Sequence, residues 1–252
     1  PGHGSAPQRV LRESEEMSAR SVAIIGDGKM GQAIRELAQS KGWNVAAVIG
    51  ERESAGGKGI TRDVLGGADV ALEFTEPKAA VANITAALRA GVPVVAGTTG
   101  WYEQLPTVTR VANESGTALL WSPNFSLGVN VLIELARYAG TLMRPLGGFD
   151  AHILETHHSK KKDAPSGTAT VVGEAAREAL GRAVPITSVR TGSVPGTHEL
   201  IFDGSFEQLS LIHLARDRRV FAEGALAAAE WLVGKRGVFT MRDVLRLPAL
   251  PG

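Results

Sequence analysis

The sequence predicts an α/β protein: a doubly wound parallel sheet on the N-terminal side, joined to a second α+β domain with a mixed or antiparallel sheet. Three observations carry that prediction. Short apolar runs alternate with amphipathic helical segments from residue 21 to residue 121, the signature of repeated βαβ units. The first run opens directly into Gly26-Asp-Gly-Lys-Met-Gly31, a glycine-rich turn between a strand and a helix. Beyond residue 126 the alternation stops, and Asp203-Gly204 stands between two strand-like segments as a hairpin signal.

Each element follows from its local pattern. Ser21-Val-Ala-Ile-Ile25 is a short buried strand, and the helix after it sets Met30, Ile34, Leu37 and Ala38 on one face. Gly42 stops that helix, and Val45–Ile49 is the second strand. Asp69–Phe74 reads as the third strand, Pro77–Arg89 as a helix and Val92–Ala96 as the fourth strand. Proline is tolerated in the first turn of that helix because its missing N–H has no intrahelical partner there. Tyr102–Glu114 reads as a helix and Ala118–Trp121 as the fifth strand.

From about Gly128 to Arg144 runs an apolar helix with a stripe of Leu132, Ile133, Ala136, Ala139 and Met143. Phe149–Thr156 is strand-like, Thr168–Leu180 is helical, and His198–Phe202 and Phe206–Leu214 pair around Asp203-Gly204. A last helix, with Phe221, Ala225, Ala228, Ala229 and Leu232 on one face, is expected to return to the first sheet. Residues 18–126 and 220–252 are therefore expected to form a dinucleotide-binding domain, and 127–219 a substrate-binding and oligomerisation domain. Residues 1–17 are set aside as an expression remnant or disordered segment, with Met17 as the natural start.

Bulk properties exclude several classes of function. A formal net charge of +1 over 252 residues leaves no basic excess to neutralise phosphates, so no nucleic-acid partner is expected. The chain has no cysteine, which removes disulfides, thiolate nucleophiles and cysteine-based metal sites. No apolar run approaches the ~18 residues of a membrane span, and a cytoplasmic setting is the default expectation.

The candidate sites lie at strand ends. In the Gly26–Gly31 loop, Gly26 permits the tight turn, Gly28 lets backbone N–H groups approach a pyrophosphate, and Gly31 allows close strand–helix packing. Asp27, Lys29 and Met30 complete that loop. Glu51, at the end of the second strand, can accept hydrogen bonds from ribose hydroxyls. Arg52 beside it can embrace a 2′-phosphate, so both NADH and NADPH remain open. Phe74, Gly97-Thr98-Thr99 and Ser122-Pro123-Asn124-Phe125 each follow a strand and are placed around a nicotinamide.

A second cluster runs Glu155-Thr-His-His-Ser-Lys-Lys-Lys-Asp-Ala-Pro-Ser-Gly-Thr168. Two imidazoles, three ammonium groups and a turn that opens a helix suit proton donation to a small anionic molecule. Adjacent His157 and His158 point to opposite faces of a strict strand. No carboxylate is read as completing a ligand set with them, so no metal is expected.

Together these segments closely resemble bacterial dihydrodipicolinate reductases. The matching pieces are Gly26–Gly31, Phe74-Thr-Glu-Pro77, Gly97-Thr-Thr-Gly100, Asn124-Phe-Ser-Leu-Gly-Val-Asn130, Glu155–Thr168 and Gly237-Val-Phe-Thr-Met-Arg-Asp-Val244, in order from about Ser21 to Leu247. The glycine loop is one residue shorter than in many relatives. The resemblance implies NAD(P)H-dependent reduction of a cyclic, unsaturated dicarboxylic imine on the diaminopimelate route to lysine, by a homotetramer. It implies His157 as proton donor, Lys161 as catalytic lysine, and His158, Ser166, Gly167 and Thr168 as substrate contacts. Three other readings fit less well. A phosphorylating semialdehyde dehydrogenase needs a cysteine, a sugar dehydrogenase does not explain the lysine-flanked Pro165–Thr168 turn, and the proton-donor and cation constellation argues against a dinucleotide sensor.

Overall fold

The computed structural model describes residues 20–217 and 219–247. The expected remnant at 1–17 lies outside the described residues, as do 18–19 and 248–252 of the expected dinucleotide-binding domain. Among the described residues the larger sheet holds β1 (Ser21–Ile25), β2 (Asn44–Ile49), β3 (Val70–Glu73), β4 (Val94–Ala96), β5 (Ala118–Trp121) and β10 (Gly237–Phe239). All pair in parallel, in the spatial order β10-β5-β4-β3-β1-β2. The chain moves to one side of β1 for β2 and to the other for β3. That reversal opens a crevice beyond the carboxyl ends of β1 and β3.

Helices cover both faces of this sheet. On one side, α1 (Lys29–Ser40) and α7 (Arg219–Leu232) set Ile34, Ala38, Ala225 and Ala229 against Ile24, Leu72, Val95 and Leu120. On the other, α3 (Pro77–Arg89) and α4 (Leu105–Glu114) bring Ile84, Leu88, Val108 and Val111 onto Ile25, Ala71, Val94 and Leu119. Burial on both faces is why these strands read as unbroken apolar runs rather than alternations. A short helix, α2 (Glu51–Ser54), follows β2.

The smaller sheet contains β6 (Phe149–His157), β7 (Ile186–Arg190), β8 (Thr197–Gly204) and β9 (Gln208–Leu214), in the order β7-β6-β8-β9. β7 joins β6 in parallel, whereas β6–β8 and β8–β9 are antiparallel. One face is covered by α5 (Leu127–Met143) and α6 (Gly167–Leu180), which pack Leu132, Ala136, Val172 and Ala176 on Ile153, Leu200 and Phe202. One-sided cover produces period two along β6: Ala151, Ile153, Glu155 and His157 are buried while the residues between them are less so. Two serines start the covering helices. Ser126 Oγ accepts from Val129 N–H and Ser166 Oγ from Ala169 N–H, each satisfying a first-turn donor.

Three details correct the sequence reading. The hairpin exists, but Asp203 pairs with Gln208 and Gly204 N–H donates to the Glu207 carbonyl, so the turn lies beyond Asp203-Gly204. A two-residue turn at 203–204 would set Glu207 opposite Leu200 on the buried face. The observed register puts Leu211 there instead, and Phe206 stands fully exposed at the tip. Second, β7 and the three-residue β10 were not expected as strands. Third, the segment expected to be helical from Tyr102 begins as a 3₁₀ turn, Tyr102–Gln104, with α4 starting at Leu105.

Candidate active site

The crevice beyond β1 and β3 is built by close approaches that exclude side chains. Gly26 has φ +115°, and a Cβ there would stand 2.1 Å from the Phe74 carbonyl oxygen. A Cβ on Gly31 would stand 1.9 Å from the Gly26 carbonyl oxygen, which ties α1 tightly to the loop. Gly28 differs: nothing lies within 4 Å of its Cβ position. It starts α1 with no side-chain cap, so first-turn N–H groups face open space. Asp27 and Lys29 are exposed beside it, with Met30 half-buried.

Gly26 N–H also donates to the Ile49 carbonyl, 2.8 Å, and a Cβ on Gly50 would fall 2.9 Å from Asp27 Oδ2. The end of β2 therefore abuts the glycine loop, and Glu51 and Arg52 follow it, both exposed. Met30, Phe74, Gly97, Thr98 and Thr99 line one cleft of about 210 Å³, together with Thr75 and Pro77, which the sequence reading had not singled out as cofactor contacts. Beneath it lies another residue the sequence reading missed, the fully buried Glu73. Burial pushes its carboxyl upward, against hydrogen bonds from Thr75, Thr98 and Asn83.

Ser122–Phe125 continues this surface. Ser122 and Phe125 are buried, Asn124 is half-buried and Pro123 is exposed. The Phe74 and Phe125 rings lie 5.6 Å apart, and α7 presses on the same loop, since a Cβ on Gly224 would stand 1.6 Å from the Phe125 carbonyl oxygen. Asn124 reaches across to the smaller sheet: its Nδ2 donates to Thr168 Oγ1 at 3.0 Å. One hydrogen bond thus ties the end of β5 to the first turn of α6.

On the far side of that bond, strand register gathers a charged cluster. Glu155 is fully buried and faces His198 across β6–β8, while His157 stands opposite Arg190 across β6–β7. Glu155 Oε2 accepts from His157 Nδ1. Its Oε1 accepts from Arg190 Nη2 at 2.6 Å and from Ser166 N–H at 3.2 Å. Burial acts to raise the Glu155 carboxyl, yet the hydrogen bonds from Arg190, Ser188 and His157 hold it down at about 2.

Burial lowers the His157 imidazole, with Glu155 pulling the other way and Lys161 and Arg190 adding to the decrease. His198 meets His157 edge-on at 5.1 Å between ring centroids and bonds Ser166 Oγ through Nε2 at 3.0 Å. Burial and the neighbouring His157 push His198 down to about 4. Of the three lysines, Lys161 is half-buried and pairs with Asp163 at 2.8 Å, whereas Lys160 and Lys162 are exposed. His158 is half-buried just past the end of β6, Gly167 is exposed at the start of α6, and Thr168 is half-buried.

The expectation that no carboxylate joins the imidazoles is corrected. Donor atoms of Glu155, His157 and His198 lie within 4.8 Å of one another. Both oxygens of Glu155 are committed to His157, Arg190 and Ser166, which makes this a hydrogen-bonded network beside two cations. Glu155, Arg190 and His198 were missed as site residues. The legible signal was Glu155 itself, a carboxylate two positions before His157 and so on the same strand face.

Residues 20–125 match the family model described as "Dihydrodipicolinate reductase, N-terminus", and residues 128–245 match "Dihydrodipicolinate reductase, C-terminus". The chain belongs to the dihydrodipicolinate reductase family. It is 41% identical over 240 residues to the 4-hydroxy-tetrahydrodipicolinate reductase of Xanthomonas euvesicatoria, covering 90% of this chain and 98% of that one. With the enzyme of the same name from Christiangramia forsetii it shares 34% over 239 residues, 89% of this chain and 97% of the relative.

In fold it is similar to a dipicolinate-bound dihydrodipicolinate reductase from Paenisporosarcina sp. TG-14, with a TM-score of 0.74 at 23% identity, covering 88% of this chain and 98% of the other. Family membership makes the chain an oxidoreductase that uses a nicotinamide cofactor, as the glycine loop implied. Among the described residues no helix is long and apolar enough to cross a membrane.

Proposed function

We propose that the chain reduces 4-hydroxy-tetrahydrodipicolinate/dihydrodipicolinate to tetrahydrodipicolinate on the diaminopimelate route to lysine, in the cytoplasm, with His157 and Lys161 as its catalytic residues. The observation that carries this reading is the Asn124–Thr168 hydrogen bond of 3.0 Å. It joins the strand-end loops suited to a nicotinamide to the turn beside Ser166, Glu155 and His157.

The residues present fit the cofactor: an uncapped α1 start, open space above Gly28 and the lined cleft at Phe74 and Thr98. In this reading Gly26–Gly31 hold the pyrophosphate, Glu51 and Arg52 the adenosine ribose, and Phe74, Gly97–Thr99 and Ser122–Phe125 the nicotinamide. When bound, the nicotinamide would supply a hydride to one carbon of the substrate's conjugated C=C–C=N system. Electron density then moves toward the ring nitrogen, where the Lys161 ammonium offsets it. His157, as imidazolium, gives its Nε2 proton to the enamine carbon and completes the net addition of one hydride and one proton. The two carboxylates fall to His158, Ser166, Gly167 and Thr168 at the start of α6, where a helix N-terminus and Ser and Thr hydroxyls favour anions.

Assembly as a homotetramer belongs to the same proposal. Ile212 and Leu214 on the outer face of β9 are each 60% exposed, and Phe206 projects from the hairpin tip, an apolar patch suited to a second copy. The test is loss of reduced-nicotinamide absorbance when purified protein meets the cyclic substrate generated in situ. Turnover with either NADH or NADPH is expected, and cofactor binding with no oxidation of either would contradict the proposal.

A further inference from the structure

Proton donation asks more of an imidazole than proximity. One ring nitrogen must face the substrate, the other must be held, and the cationic form must be populated although the group is buried. Three residues outside the assigned catalytic pair meet those demands at His157. Glu155 accepts from Nδ1 through Oε2. Arg190 clamps the other carboxylate oxygen at 2.6 Å and is itself anchored by donating to the Asp163 carbonyl at 2.6 Å and the Val189 carbonyl at 2.7 Å. At the opposite edge of the ring stands Gly196, where a Cβ would fall 2.9 Å from His157 Nε2.

We infer that Glu155 is the positioning residue of His157, fixing the Nδ1–H tautomer and stabilising the imidazolium, that Arg190 holds Glu155 in that role, and that Gly196 keeps Nε2 clear for the substrate. The inference rests on the proposed reading of His157 as proton donor. Its structural logic is strand register. Glu155 lies two residues before His157 on one strand face, Arg190 is paired opposite His157 on β7, and Gly196 directly precedes β8.

The charged groups around His157 make the role separable from simple support. Glu155 faces it from β6 itself, Arg190 from β7, and His198 from β8; Lys161, paired with Asp163, faces it from the following loop. His213 on β9 faces His198, at 6.5 Å between ring centroids. Glu155 raises the His157 pKa while Arg190 and Lys161 lower it. Removing the carboxylate and removing the guanidinium must therefore move the titration in opposite directions. An imidazolium donor is active below its pKa, so the rate is lost as pH rises through it.

The test pairs Glu155→Gln with Arg190→Gln and reads the pH dependence of kcat. For Glu155→Gln, kcat should fall on the order of a hundredfold at neutral pH, with substrate KM little changed. Its alkaline limb should move down by about one pH unit. In Arg190→Gln the limb should move up, and Arg190→Lys should restore it toward the wild-type position. Both limbs staying in place, or moving together, would overturn the inference.

A readout independent of turnover separates this from failure of the proposed activity. Nitrogen NMR of ¹⁵N-histidine-labelled protein should show neutral His157 as the Nδ1–H tautomer in the wild type, with its titration midpoint lowered in Glu155→Gln. An Nε2–H tautomer in the wild type would overturn the inference whether or not the protein turns over substrate. A wild type without turnover but with the expected tautomer would overturn the proposed function alone. Should Arg190→Gln fail to fold, the Glu155→Gln midpoint still decides, because an unmoved midpoint rejects the role.

Discussion

The crevice at the end of the six-stranded sheet and the buried face of the four-stranded sheet are assembled by opposite strategies. The crevice is local: its parts are contiguous words of sequence at the ends of successive strands, and glycines let backbone approach backbone. The buried face is non-local. Arg190, Gly196 and His198 come beside Glu155 and His157 because β6, β7 and β8 pair in one register, and Ser166 joins them from the start of α6. A site of the first kind tolerates change in side chains but not in backbone space. A site of the second kind depends on particular charges, since Glu155 is fully buried and each of its oxygens is taken. Comparing them shows why a motif search finds a cofactor loop readily and an imidazole's support poorly.

The largest effect that sharpens this contrast is expected at His157. Changing it to alanine should lower kcat by about 10²–10⁴-fold and move substrate KM less. Steady-state kinetics check this, and wild-type turnover would remove His157 from the mechanism. Lys161→Ala should cost on the order of 10²-fold in kcat/KM, with losses in both kcat and KM. Unchanged kinetics would mark it as a solvated charge like its exposed neighbours Lys160 and Lys162.

The dryness of the second region predicts a pH effect on stability. His198 has its folded pKa at about 4, below its usual value near 6.5, because it is buried. The unfolded chain therefore binds the extra proton first as pH falls. Its contribution is fully present above pH 6.5 and is lost between about 6.5 and 4, on the order of 3 kcal/mol in total. Denaturant titrations across that window should show the slope in the wild type and a weaker one in His198→Asn. Equal slopes would mean that the imidazole is hydrated in the native state.

Backbone space governs the first region. Gly31→Ala places a Cβ 1.9 Å from the Gly26 carbonyl oxygen, so α1 must shift. Stability should fall by about 1–3 kcal/mol, with cofactor affinity reduced alongside. The smallest effect is expected at exposed Glu51. Its change to alanine should weaken NADH by roughly 1 kcal/mol and NADPH by less, as read by fluorescence titration; equal losses would contradict its ribose contact.

Much of the larger sheet was legible because buried parallel strands are continuous apolar runs bounded by glycine and proline. Ala118–Trp121 could be read residue for residue. What escaped was short and at an edge. β10 spans three residues and leans on β5 alone, and β7 is a five-residue edge strand whose side chains alternate between half-buried and exposed. The hairpin's Asp203-Gly204 signal was outweighed by the need to keep Leu211 opposite Leu200. In the site, the glycine loop and most of the crevice lining could be named from motif and position, whereas Thr75, Pro77 and the buried Glu73 could not. Arg190 and His198 could not, because nothing local marks a residue whose role depends on what another strand sets beside it. Glu155 was within reach, in the buried alternation Ala151, Ile153, Glu155, His157.

The most direct test is a crystal structure of the protein with a reduced nicotinamide cofactor and dipicolinate bound together. The nicotinamide ring should lie in the cleft lined by Met30, Phe74 and Gly97–Thr99, with the dicarboxylate against Ser166–Thr168 and His157 Nε2 within hydrogen-bond reach of it, about 3 Å. A dicarboxylate seated beside the nicotinamide with His157 and Lys161 both turned away and out of reach would contradict the account.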